Sequence, residues 1–161
     1  TINGTIEYAI SHPTTFICYN NINCDWYYTG DETTDNTRWT TSESAKSVYD
    51  PCPPGWRVPD GGDDGVWTRA LGTGKSASCS YNSGVDLSGH FGSSSCIWYP
   101  AINCLGAFNG TMSGGIYGGN YWSATPKGSK ASGMFFNAFG TVNTDMTSDR
   151  AGALAVRCIR E

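Results

Sequence analysis

Charge is scarce in this chain: Asp, Glu, Lys and Arg make up 15% of its 161 residues, and the formal net charge is only -4. Residues 1–100 carry 11 acidic and 5 basic side chains, whereas residues 101–161 carry 3 and 5. Nowhere do the basic residues gather into the stripe that a phosphate backbone requires, so a nucleic-acid partner is not expected. Long apolar runs are missing too. None approaches the roughly 18 residues of a membrane-spanning helix, which argues against direct membrane insertion. No signal peptide precedes Thr1, so the chain reads as a mature form or an excised domain of something longer. A Cys-x-x-Cys pair is absent, and with it the usual signature of zinc or dithiol redox work. His12 and His90 are the only histidines, neither sits in an elbow motif that would serve a Ser or Cys nucleophile, and no cofactor or metal is expected.

What is present points to a loop-rich, sheet-containing domain. Gly numbers 21 and aromatics reach 13%, with no long helical periodicity and no internal repeat. The length suits one domain over residues 1–161. Seven cysteines (18, 24, 52, 79, 96, 104, 158) are many for a reducing cytosol and point to an oxidising, extracellular destination. Thr5–Ser11 reads as a short helix that must end before Pro13, and Thr14–Tyr19 as a strand. Residues 20–49 are polar, with Trp26, Tyr27, Tyr28 and Trp39 as anchors. Trp56-Arg57-Val58 begins an extended piece. Val66–Leu71 reads as a helix closed by Gly72. Residues 72–95 read as loop, and 97–101, 105–108 and 120–124 as short strands. Alternation over 133–139 and 153–159 predicts two further strands, with Gly140 and residues 143–149 supplying the turn chemistry between them.

Six short motifs then fall in one order: His12-Pro13-Thr14-Thr15-Phe16-Ile17, Asp25-Trp26-Tyr27, Cys52-Pro53-Pro54-Gly55-Trp56-Arg57-Val58-Pro59, Trp98-Tyr99-Pro100-Ala101, Gly119-Asn120-Tyr121-Trp122-Ser123 and Val156-Arg157-Cys158. Together they resemble the FISUMP (major paralogous) domain at the C-terminus of fimbrillin-like bacterial surface proteins. They are also similar to the C-type-lectin-like variable proteins of diversity-generating retroelements. The resemblance implies an α+β, C-type-lectin-like fold: a small twisted antiparallel sheet with one or two short helices and long loops. Cys52 and Cys158 lie in its two best motifs, and a disulfide between them is the implied pairing, with buried thiols as the alternative. Cys79 with Cys96 is a second candidate pair.

The resemblance also implies a function: a non-catalytic ligand-binding domain, adhesin or receptor-binding, at a cell surface or on a phage particle. Its ligand would be a protein or glycan on another cell surface. Two other readings stand beside it, a structural tip subunit of a fimbria-like assembly and an oxidase of the formylglycine-generating type. The oxidase needs a late reactive cysteine pair, and here only Cys158 is late, with Cys96 and Cys104 the nearest alternative. The Glu-Pro-Asn or Gln-Pro-Asp loop of calcium-dependent lectins is missing. The Asp60–Gly65 cluster reads as an acidic helix start in preference to a calcium loop. Trp56, Trp98 and Trp122 are read as core, and Arg57, Arg150 and Arg157 as structural. The recognition face is placed on Lys127, Lys130, Ser132, Met134, Phe135, Asn137, Thr144, Asp145, Met146, Thr147 and Asp149, with Phe136 in the opposite phase facing the core. An ordinary solvated hairpin is the alternative there.

Overall fold

A computed structural model describes residues 5–18, 24–25, 34–39, 46–72, 84–87, 91–92, 97–113 and 118–161. Among them are two short helices and four small antiparallel sheets, an α+β arrangement. Helix α1 spans Ile6–Ser11, and the Thr5 hydroxyl caps it by accepting from the Tyr8 N–H at 3.2 Å. His12 closes it, stacked on Tyr8 with its Nδ1 at 3.0 Å from the Tyr8 carbonyl. Strand β1 (Trp56–Arg57) pairs with the last strand, β9 (Ile159–Arg160). Helix α2 covers Val66–Leu71 and ends at Gly72. Strands β2 (Gly84–Asp86) and β3 (Trp98–Pro100) form one ribbon, β4 (Cys104–Leu105) and β5 (Met112–Ser113) another.

The dominant sheet is β6 (Gly118–Lys127), β7 (Lys130–Asn137) and β8 (Val142–Ser148), in sequence order. Gly128 and Ser129 turn β6 into β7, and Gly128 takes φ +60, as the first position of such a two-residue hairpin loop needs. Asn137 organises the β7–β8 turn by accepting from the N–H groups of Phe139 and Thr141 at 3.0 and 3.1 Å. Pairing places directly opposed residues on one face. Tyr121 with Met134, and Gly119 with Phe136 and Val142, therefore form the inner rows. They pack with Trp67 and Leu71 of α2 and with Val85, Leu87 and Tyr99. Gly119 is required in its row, because a Cβ there would fall 2.4 Å from the Phe136 ring.

Polar groups inside this core are matched. Trp67 Nε1 donates to the Tyr99 hydroxyl at 3.1 Å, Tyr121 Oη donates to the Pro100 carbonyl at 2.7 Å, and Arg157 covers the Tyr99 ring at 4.7 Å while donating to the Trp98 carbonyl. Burial pushes the Tyr121 phenol up to about 12, against a small opposing pull from Arg157. Because the folded value is the higher one, this stabilisation is whole below pH 10 and is lost as pH rises towards 12. Two pKa units correspond to about 2–3 kcal/mol. Tyrosinate absorbance and stability measured together should therefore show unfolding coupled to phenol ionisation in that window. Tyr121→Phe should flatten the alkaline decline, and an unchanged profile would place that loss elsewhere.

Cys52 and Cys158 are joined by a disulfide with Cα atoms 5.8 Å apart. It packs with Val58, Ala124, Trp39 and Val156 as a second apolar cluster. Cys18, Cys24 and Cys104 are free thiols, while Cys79 and Cys96 lie outside the described residues.

Several elements differ from expectation. Residues 14–18 are irregular and pair with no described strand, with the Phe16 ring seated against Gly110, and Tyr19 lies outside the described residues. Residues 143–148 are strand β8, not turn, since pairing to β7 overrides their turn-prone composition. The segment 105–108 is strand only at Leu105, and 107–109 turn the β4–β5 hairpin. Residues 153–159 make isolated bridges, Leu105 to Ala153 and Tyr121 to Ala155, before β9 begins. A strand, β2, lies inside the stretch read as loop. Trp56 is not core: it is 44% exposed on a two-residue ribbon. Gly65 caps α2 with no side-chain bond, and the Asp60 carboxylate instead takes both Arg57 Nη atoms at 3.0 and 2.7 Å. Asp63 and Asp64 are exposed.

Candidate recognition face and its cavity

The outer face of the terminal sheet carries the rows Asn120–Phe135–Asn143 and Trp122–Gly133–Met146. Phe135 is half-buried beside Gly118, and Met146 lies across Gly133, where a Cβ would stand 3.2 Å from its methyl. Thr147 and Lys130 are exposed, and Asn137, Lys127, Asp145 and Asp149 half-buried. Lys127 pairs with Asp145, and Lys130 Nζ lies 2.9 Å from Asp149. The Asp149 bond and charge hold the Lys130 ammonium above its ordinary pKa. Such partly exposed pairs fix geometry more than they stabilise.

Three of the eleven expected face residues do not reach solvent. Met134 shares the inner phase of Phe136 and is wholly buried in the core. Thr144 is buried against helix α2, accepting from the Thr68 hydroxyl at 3.1 Å. Ser132 is buried, donating to Asp145 Oδ1 at 2.6 Å and accepting on its carbonyl from Ser123 at 2.9 Å. Period-two alternation explains all three: residues 132, 134 and 136 share one phase of β7 and residues 142 and 144 one phase of β8, and Phe136 and Val142 take those phases into the core. Lys130 and Thr147, which pairs with Ser132, follow the same phase at the exposed end of the sheet.

Beside this face, residues 35–39, the β6–β7 hairpin and residues 150–156 enclose a cavity of about 300 Å³. Its apolar walls include Trp39, Trp122, Pro126, Ala131, Leu154 and Val156. Residues 153–156 run beside β6, with Ala155 N–H donating to the Asn120 carbonyl and Trp122 N–H to the Ala155 carbonyl. Arg38 and Arg150 also border it. Arg38 Nη1 binds the buried Asp25 at 2.7 Å. Arg150 donates to the carbonyls of Asp35, Gly128 and Lys130 and to the Asn36 amide oxygen, with Asp25 at 3.8 Å. Burial pulls its guanidinium below the ordinary value, and Asp25 opposes that. The Thr37 hydroxyl, bonded to Asp35, holds that carboxyl below its usual range.

No family model, curated protein or solved structure matches the chain. Trp39, Arg38 and Leu154 were not among the expected site residues. Their only hint in sequence was the aromatic Trp39 within a polar stretch. His90 lies outside the described residues, and among those described no three His, Cys, Asp or Glu side chains are grouped to hold a metal. The disulfide fits an oxidising compartment, and no described helix is long and apolar enough to cross a membrane.

Proposed function

We propose that this chain is a non-catalytic ligand-binding domain of the C-type-lectin-like kind, acting at a cell surface or on a phage particle. The outer face of β6–β7–β8 is its recognition surface, and the ligand is a surface protein or glycan. The observation that carries this reading is the division of one sheet into two faces. The inner rows are locked into the core, while Phe135, Asn143 and Met146 stand on the other side, chemically mixed and at least partly accessible. Hot spots combine such aromatic and long side chains with a polar surround. A fimbrial tip role by strand donation fits less well, because it needs a terminal strand free to leave. Here β9 is paired to β1, and Cys158 next to it is bonded to Cys52.

The test is a screen of the full chain against arrayed extracellular proteins and glycans, run in parallel in EDTA and in calcium. A hit should weaken at least tenfold on Phe135→Ala combined with Met146→Ala, with a melting temperature within a few degrees of the parent. A hit that ignores a multiple substitution across Phe135, Asn143 and Met146 would move recognition off this face. A hit that requires calcium would overturn the metal-free reading.

A further inference from the structure

We propose that the cavity between residues 35–39, the β6–β7 hairpin and residues 150–156 receives an uncharged aromatic side chain presented by a protein partner. This rests on the binding-domain reading and narrows its ligand from surface protein or glycan to protein. Two arginines at the rim suggest an anion, but their donors are already committed. Arg150 is divided among three carbonyls and the Asn36 amide oxygen, and Arg38 is engaged by Asp25 with Asp35 at 3.9 Å, so two carboxylates balance the two guanidiniums. An arriving carboxylate or phosphate would have to displace these contacts.

A sugar is disfavoured for a related reason. Trp39 Nε1 already donates to the Tyr49 carbonyl at 3.0 Å, and the Ser123 hydroxyl to that of Ser132 at 2.9 Å. Sugar hydroxyls entering here would lose water with few partners in return, at a cost of roughly tenfold in affinity for each. What remains is aromatic and aliphatic wall: two indoles, Pro126, Ala131, Leu154 and Val156. A dry cavity of about 150 Å³ holds benzene, so about 300 Å³ accommodates a bicyclic ring. The cavity also adjoins the recognition face, because Trp122 stands in the same cross-strand row as Met146.

The experiment titrates three probes into the full chain and follows the indole N–H signals of Trp39 and Trp122 by NMR. The probes are N-acetyl-tryptophanamide, indole-3-acetate and methyl glucoside. The amide should shift both signals saturably, the acetate should bind no tighter than the amide, and the glucoside should leave them in place. Filling the cavity from either wall, by Ala131→Leu or independently by Leu154→Phe, should weaken the amide at least tenfold. The variant that keeps the parental melting temperature is the one to read. Tenfold preference for the acetate, or saturable glucoside binding at these indoles, would overturn the aromatic assignment and leave the binding-domain reading standing. Silence from all three probes would overturn the cavity as a site, whereas the Phe135 and Met146 variants judge the face itself. Amide binding unaffected by either filled variant would place the ring elsewhere and overturn the proposal.

Discussion

Replacing both bridge cysteines, Cys52→Ala with Cys158→Ala, is expected to lower stability by about 4–5 kcal/mol, the largest single effect in this chain. The bridge spans a sequence separation of 106 residues. In the chain-entropy picture so long a loop restrains the unfolded chain by about that amount. Local structure offers little replacement. The ribbon it anchors has two residue pairs, Trp56 with Arg160 and Arg57 with Ile159, too short to hold by itself. Its sulfurs also pack with Val58, Ala124, Trp39 and Val156, so the loss propagates into one wall of the cavity. For a chain of this size the melting temperature should fall by roughly 8–20 °C. Urea unfolding of the oxidised parent, the reduced parent and the double variant measures it. A difference below about 1 kcal/mol would mean that the apolar cluster, and not the covalent link, holds the C-terminus.

The parts of the fold legible in sequence are those with a local cause. Thr5 and Gly72 bracket helices because a hydroxyl cap and a C-terminal glycine act within one turn of chain. The phase of Phe136 was readable because alternation is a property of the strand itself. What was hidden depends on partners far away in sequence. Residues 143–148 carry Asn, Asp, Ser and Thr, good turn formers, and become strand only because β7 offers them an edge. Residues 153–156 alternate like a strand, yet they meet β6 and β4 at single bridges and stay irregular. Trp56 sits in a motif that suggests core, but a two-residue ribbon leaves it one open side. The candidate site divides in the same way. The outward phase of Phe135 was legible from alternation in the tail, whereas Met146 reads as part of a turn, and Met134, Ser132 and Thr144 were placed on the face although they share the inner phase of their strands or meet α2. The cavity was not legible at all, since its walls come from segments more than 80 residues apart in sequence.

Arg150 is where those distant segments are tied, and Arg150→Ala should cost about 2–3 kcal/mol. One guanidinium bonds the carbonyls of Gly128 and Lys130 on either side of the β6–β7 turn, the Asp35 carbonyl and the Asn36 amide. Its side chain is 10% exposed, but the residues that supply those acceptors are exposed, so water replaces part of what is lost once it is gone. Asp25 adds to the cost, because this buried carboxylate then keeps Arg38 as its neighbouring cation without Arg150 beside it. Lysine cannot substitute, because a single ammonium lacks the planar fork that reaches acceptors on opposite sides at once. Arg150→Lys should therefore recover less than half of the loss. Added salt should change the difference little, because screening acts weakly on buried groups. Losing the tie also releases residues 35–36 from the hairpin, so Arg150→Lys should widen the cavity and weaken N-acetyl-tryptophanamide even where it stays folded. Urea unfolding and probe titration on the same samples separate the two effects. If Arg150→Ala fell within about 1 kcal/mol of the parent and bound the probe equally well, the guanidinium would be an ornament of the surface, and the cavity would owe its shape to Trp39, Trp122 and the disulfide cluster alone.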